Sequence, residues 1–392
     1  MPLALLVRIT PAGPWRNGPH TGSRDRVDPV CHSDTLFAAL TGALNQLDEA
    51  GPWLDATARA AGPAVRLTSL FPFLRDDLYV PPPRTLWPPQ LSGRLRASGA
   101  RFVPTRVVAS LINGQPLRED SWEVDGMSQC LVPRSGRPGH AGPFRYALRA
   151  AAAVDRLTGA AAPHQTACLE FAPNAGYWCA AVFAGAEAAA TWRAKLEAAF
   201  RLLSDTGLGG ERSRGWGHAA AIRFQFDDLA SLLLPGAQKA PETSRHWWLL
   251  SLCHASASDA IDWTAGNYSL APRAGRTVTG ALKPAIDMIA EGSVLASASA
   301  PVGQAADVTP AGHPHPVYRS GFAVVLPLPG QAHPHPPEPF TAQLPLPVAE
   351  PLSAAEPAAE PAPAPEPAPE PLPGIEPEPD LVPAFFDTEP AR

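Results

Sequence analysis

Gly207-Leu208-Gly209-Gly210-Glu211-Arg212-Ser213-Arg214-Gly215-Trp216-Gly217 stands between a helical pattern and an alternating one, and the fold is read outward from it. Five glycines in eleven residues free the backbone for left-handed conformations and for close approach to a ligand. Arg212 and Arg214 add planar charge, and Trp216 adds a stacking face. Upstream, Trp192, Leu196, Phe200 and Leu203 recur every three or four residues, so a helix is expected over 191–204, ending at Gly207. Downstream, over 218–226, Ala220, Ile222, Phe224 and Phe226 alternate with Arg223 and Gln225, which predicts a strand. Glycine, arginine and an aromatic at such a corner suit a phosphate-rich, base-bearing ligand. A solvated loop has the same composition.

Nearer the start, Leu3 to Ile9 is apolar and predicts a buried strand, followed over 11–30 by a Gly-, Pro- and Arg-rich loop. Ser33 is the expected N-cap of a first helix, with Asp34 in its first turn and an apolar stripe of Leu36, Phe37, Leu40, Leu44 and Leu47. Residues 65–74 predict the next strand. Over 80–143 prolines break every pattern, which points to an insertion with short hairpins, one at Asn113-Gly114. Strands are expected at 166–171 and 177–183, joined by a turn at 174–176. Strand, helix, strand, insertion, strand, helix, strand is the βαββαβ ferredoxin-like succession. The expected class is α+β with two ferredoxin-like (RRM-like) domains. The first is 1–226 with the insertion at about 80–143, then a linker at 227–243, then a second domain at 244–330 with strands near 246–254, 286–295 and 318–326.

Length fits two domains plus extra segments, since the chain has 392 residues. Of its 49 prolines, 19 fall in 331–392, with 11 acidic residues and one arginine. Removing that segment from 31 basic and 37 acidic residues leaves 30 and 26, so a body near +4 carries a tail near −10. The Pro/Glu/Ala-rich tail is expected to be disordered, because it cannot bury enough apolar surface to fold, and its charge is expected to lower nonspecific RNA binding. Arginine supplies 28 of the 31 basic residues, which favours forked phosphate contacts; a GC-rich coding bias produces the same excess. Cys31, Cys130, Cys168, Cys179 and Cys253 are widely spaced with no Cys-x-x-Cys, as expected for reduced thiols in the cytoplasm. No signal-peptide core and no run of membrane-spanning length is present, so a soluble cytoplasmic chain is expected.

Catalytic and metal chemistry find little support. His20 and His32 flank the first loop as a candidate acid–base pair on RNA, although a structural hydrogen-bonding role fits as well. His313-Pro314-His315 and His333-Pro334-His335 lack a Cys or carboxylate at ligand spacing, so no metal is expected. No cofactor motif occurs: there is no Walker loop, no strand-anchored Gly-x-Gly-x-x-Gly and no nucleophile elbow.

The stretch 209–217 after a helix resembles the glycine-rich loop of the RAMP superfamily of CRISPR proteins. His32-Ser33-Asp34-Thr35-Leu36-Phe37-Ala38-Ala39-Leu40 is similar to the first-helix signature of subunit four of the type III-A Csm effector. Val154-Asp155-Arg156-Leu157-Thr158-Gly159-Ala160 resembles the Asp-Arg-x-Thr-Gly segment of RAMP proteins. Glu291-Gly292-Ser293 and His315-Pro316-Val317-Tyr318-Arg319-Ser320-Gly321 are similar to that subunit's late motifs. The matches run in order from 1 to about 329, the tail has no counterpart, and Arg and Pro stand where lysines are common in the family.

This resemblance implies a non-catalytic subunit in antiviral defence that grips the five-prime, repeat-derived handle of the CRISPR RNA. It also implies two protein partners, the large Palm-domain subunit and a backbone RAMP subunit, with no membrane. The RNA-binding positions it points to are Gly209, Gly210, Arg212, Ser213, Arg214, Gly215 and Trp216, with Arg16, His32, Arg156, Tyr318 and Arg319. The insertion at 80–143 would be the thumb-like hairpin that parts guide bases. A RAMP endoribonuclease that processes repeat RNA is the enzymatic alternative. Its glycine-rich loop typically lies near the C-terminus, whereas a strand-bearing region follows the loop here. The analogous type III-B subunit is the third reading.

Overall fold

Leu3–Pro11 forms β1, an unbroken apolar run because it is covered on both faces, with Ala4 to Val7 all buried. The computed structural model describes residues 2–19, 21–89, 99–134, 142–241, 243–277 and 279–329. After β1 come α1 (Ser33–Gln46), α2 (Ala50–Ala56), β2 (Val65–Leu67), β3 (Phe71–Leu74), β4 (Asp77–Val80), β5 (Val103–Pro104) and α3 (Thr105–Ile112). There follow β6 (Trp122–Val124), β7 (Leu131–Pro133), β8 (Phe144–Val154), β9 (Ala161–Phe171), β10 (Ala175–Phe183), α4 (Ala186–Thr206), β11 (Ala219–Asp228) and α5 (Leu229–Leu233). The larger sheet is seven-stranded in the order β11-β1-β10-β3-β4-β5, with β2 also on β10. Its pairings among the described residues are antiparallel, from Ala4 opposite Val182 to Val7 opposite Phe224. The succession β1, α1, β2 with β3, β10, α4, β11 is the βαββαβ order read from the sequence.

The helices close together over aromatic contacts. Phe37 of α1 stacks on Trp53 of α2 at 5.5 Å, and Trp53 meets Trp192 of α4 edge-on at 5.3 Å. α4 buries Ala189, Trp192, Leu196, Ala199, Phe200 and Leu203, the stripe its periodicity predicts. It stops at Gly207, whose φ of 82° and N–H bond to the Leu203 carbonyl end the helix.

The rest of the chain builds a smaller sheet. β12 (His246–Leu249), β13 (Asp262–Asn267), β16 (Val294–Ala296) and β19 (Val325–Leu328) pair in the order β13-β16-β12-β19. β14 (Leu270–Arg273) pairs with β15 (Ile286–Ile289), and β17 (Ala306–Asp307) with β18 (Tyr318–Arg319). Trp248, Leu250, Val294 and Leu326 lie in the same apolar cluster as Leu5, Phe71 and Trp178 of the larger sheet. Residues 1–336 accordingly group as one compact unit, and both expected domains lie within it. The tail 331–392 lies outside the described residues.

Several expectations are corrected. Helix α1 begins at Ser33 itself with His32 as its N-cap, because the Ser33 hydroxyl is turned to the Leu252 amide of the smaller sheet. The strand expected over 65–74 is two strands, interrupted where Ser69 donates its amide to the Leu250 carbonyl. Asn113-Gly114 does not turn a hairpin but ends α3, where Asn113 and Gly114 donate back into the helix. A turn does separate β9 from β10 as expected, centred at 173–174, and the two strands find other partners, β8 and β1. Residues 227–243 are more than a linker, since α5 forms there with Asp228 accepting the Ser231 amide as N-cap. Among the described residues of 244–330 no α-helix occurs, only a 3-10 turn at Ala257–Asp259. The second helical layer is missing because Ser, Ala, Gly and Pro dominate there without an apolar stripe.

Candidate nucleic-acid interface

The glycine-rich corner is shaped by contacts that only glycine permits. Gly209 sits at φ 95°, and a Cβ there would lie 2.3 Å from the Arg16 carbonyl. Gly217, at φ 76°, passes so close to Leu208 that a Cβ would lie 2.0 Å from its carbonyl. The amides of Leu208, Gly210, Arg214, Gly215, Trp216 and Gly217 all donate to backbone carbonyls, so the loop holds its own shape. What faces out is the bend at Arg212, Ser213, Arg214 and Gly215, all exposed. Arg214 Nη1 lies 3.3 Å from the Glu211 carboxylate. Among the described residues no carboxylate pairs with Arg212. Trp216 is only 8 % exposed, so the expected stacking face is turned inward.

Arg16 is buried beneath this corner. Its Nη1 donates to the carbonyls of Arg24, Arg26 and Ala167, at 2.6 Å for the last, and Nη2 donates to Ser23. Its own carbonyl accepts the Gly210 amide at 2.8 Å. Arg16 therefore knots the first loop, β9 and the glycine-rich bend together, with its guanidinium spent on carbonyls. Desolvation holds its pKa below the usual arginine range, with the Glu211 carboxylate opposing.

Beside the bend stands the β8–β9 hairpin, paired in register from Phe144 opposite Phe171 to Val154 opposite Ala161. Most of its outer half is exposed, and Leu157 at the tip is 96 % exposed. The tip is a tight Asx turn in which Asp155 accepts the Leu157 amide at 2.8 Å and Gly159 takes φ 70°. Arg156 projects from that turn, exposed and without a carboxylate partner among the described residues. Arg214 Nη2 reaches His164 of β9 at 3.5 Å, so the bend and the hairpin meet. Arg145 and Arg149 line the hairpin against Glu170. Among the described residues the long projecting hairpin is thus at 144–171; residues 90–98 and 135–141 of the insertion, read as the thumb at 80–143, lie outside them. Arg145, Arg149 and His164 were missed by sequence reasoning, and the Arg-x-x-x-Arg spacing on an alternating strand was the available signal.

His32, Arg319 and Tyr318 lie elsewhere, at a seam between the two sheets. His32 Nδ1 lies 2.8 Å from Glu291 Oε1 and Nε2 lies 3.2 Å from Asp28 Oδ2. Burial alone pushes the imidazole pKa down; the Glu291 and Asp28 carboxylates outweigh it and raise it to about 9. Glu291 also accepts the Ser69 hydroxyl. Asp34 takes Arg273 through two bonds of 2.9 and 3.0 Å, and Arg319 through Nη1. Burial of Asp34 would raise its pKa, but Arg273 and then Arg319 hold it at about 2. Tyr318 lies half-buried, with the Arg59 guanidinium 5.8 Å from its ring centre. The first-helix and late motifs are therefore partners across the molecule, and the structure assigns His32 and Arg319 to its interior. His20 lies outside the described residues, as do His333 and His335. His313 and His315 sit ring to ring at 4.6 Å, and among the described residues no cluster of three or more His, Cys, Asp or Glu is placed to hold a metal ion. No helix among them is long and apolar enough to cross a membrane.

Residues 242–328 match the model of the CRISPR Csm4 C-terminal domain. That segment is similar to the C-terminal domain of Csm4. The match places Glu291, Arg273 and Arg319, the C-terminal half of the seam, inside a Csm4-type segment. Among solved structures, a Csm3–Csm4 subcomplex of the type III-A CRISPR-Cas interference complex contains a similar chain, with TM-score 0.55 and 15 % identity. That likeness covers 83 % of this chain and all of the other. A Csm1–Csm4 cassette in complex with pppApA gives TM-score 0.52 and 17 % identity, covering 85 % of this chain and 100 % of that one. Sequence comparison with curated proteins finds no match.

Proposed function

We propose that this chain is a subunit of a type III-A CRISPR effector complex that holds the five-prime handle of the guide RNA without cutting it. The observation that carries this reading is the meeting of the exposed Arg212–Arg214 bend with the β8–β9 hairpin through Arg214 and His164. A rigid, glycine-shaped bend presents the Arg212 guanidinium, which no carboxylate pairs with among the described residues, and beside it Arg214, which Glu211 partly compensates, to phosphates at little ordering cost. The hairpin supplies Arg156 and an apolar tip that can slip between unstacked bases, the thumb role first read into the insertion. His32, the described member of the candidate catalytic pair, has both ring nitrogens engaged by carboxylates, which favours gripping over cleavage.

The similar folds found in complexes with Csm1 and with Csm3 support two protein partners, the large Palm-domain subunit and a backbone RAMP subunit, in cytoplasmic antiviral defence. The reading is tested by reconstituting the effector with Arg212→Ala/Arg214→Ala and sequencing the RNA that copurifies. Loss of two phosphate contacts is expected to weaken handle binding about tenfold or more and to reduce the salt slope by about two. Undiminished recovery of RNA with a uniform five-prime end would refute the assignment to this bend. Cutting of repeat RNA that His32→Ala abolishes would restore the enzymatic alternative.

A further inference from the structure

A second surface with the chemistry of a single-stranded nucleic-acid contact lies on the smaller sheet. β13 is an edge strand of that sheet, and its register against β16 jumps from Asp262 opposite Ala296 to Asn267 opposite Val294. Five steps on one strand face two on the other, so the intervening residues bulge out of the ladder. Bulges re-aim side chains, and this one holds Trp263 45 % exposed, against a median tryptophan that is mostly buried. Trp263 packs edge-on against Tyr268 at 5.2 Å, which holds both rings in place while each stays partly exposed. Next to Tyr268, Ser269 accepts a bond of 2.7 Å from Arg84 Nη2. Arg84 is exposed, and among the described residues no carboxylate pairs with it. Asn267, exposed between the two aromatics, adds an amide donor and acceptor.

We propose that Trp263, Tyr268 and Arg84 form a contact for single-stranded RNA, built from different elements than the bend and hairpin and independent of the handle reading. Bases stack on the ring surface that the edge-on contact leaves exposed, Arg84 neutralises a phosphate, and the Asn267 amide addresses a 2′-hydroxyl. An apolar protein partner would have no use for an uncompensated guanidinium beside the rings; a polyanion does.

The test uses the full chain carrying Arg212→Ala/Arg214→Ala, so that the bend contributes nothing, and a fluorescein-labelled oligouridine of about 15 nucleotides. Trp263→Ala is expected to weaken binding roughly tenfold while Trp263→Phe retains it, as stacking requires. Arg84→Ala is expected to lower the salt slope by about one. Replacing uridine by 5-bromouridine should place a photo-crosslink on Trp263. Unchanged affinity in Trp263→Ala and Arg84→Ala, with melting curves like the parent, would overturn the proposal. So would equal affinity for oligothymidine, or lost copurification of the large Palm-domain subunit with RNA affinity intact.

Discussion

One methyl group tests the corner between α4 and β11. Gly209→Ala places a Cβ 2.3 Å from the Arg16 carbonyl at φ 95°, so the bend must shift or the chain must strain. The expected cost is about 1–3 kcal/mol, read by urea unfolding, together with weaker RNA binding because Arg212 and Arg214 are displaced. Gly215→Ala is the control. Its φ of 79° is left-handed but nothing lies within 4 Å, so only the ordinary backbone penalty of about 1–2 kcal/mol applies. At this scale the sequence was half legible. Arg212 and Arg214 lie on the surface as their glycine neighbours suggest, since a loop with no apolar side chain at those positions has nothing to bury. Arg16, His32, Trp216 and Arg319 do not. No local pattern says that Arg319 will meet a carboxylate 285 positions earlier, or that Arg16 will be consumed by carbonyls.

Among the elements, the β8–β9 hairpin is the one whose removal is most informative. Excising 150–165 and joining Arg149 to Thr166 through Asn-Gly respects the register, which pairs those two residues. The removed residues are mostly exposed, so the melting temperature should move by only a few degrees. Handle-bearing RNA should bind more weakly than to Arg156→Ala alone, as an electrophoretic shift would show; equal binding would deny the hairpin a role. The helix α4 was legible because Trp192, Leu196, Phe200 and Leu203 mark a stripe. The hairpin was not, because runs such as Ala150–Ala153 are small on both faces and alternate in nothing. Helix α3 hid among prolines, although Val107, Val108 and Ile112 already carried its apolar face.

At the scale of the whole molecule, the charged seam makes stability depend on pH. His32 has a folded pKa raised to about 9 from 6.5, so its contribution is complete below about 6.5 and is lost as pH rises through 9. Asp34 has the opposite sign: held at about 2, its contribution is complete above about 3.8 and is lost as pH falls toward 2. Melting temperature should therefore decline between pH 6.5 and 9, by a free energy on the order of 1–3 kcal/mol, and His32→Gln should flatten that decline. A slope that persists in the variant would assign it to another group. The contact between the two sheets was the least legible feature. Sequence patterns change near residue 240, but patterns report exposure of faces, not what covers them, and here each sheet covers part of the other.

That mutual covering has a consequence for where the chain can be divided. The smaller sheet gives Leu250 to Ser69, Trp248 Nε1 to the Pro81 carbonyl, and the Ala323 carbonyl to Arg66, besides the ion pairs of His32 and Asp34. A break in the α5–β12 connection, around residues 236–241, would therefore leave two fragments with interlocking charges and one shared apolar filling. Neither fragment satisfies its own buried groups, yet each carries what the other lacks. Such a pair is suited to noncovalent complementation, so that a chain read as two modules behaves as one lock cut through its keyhole.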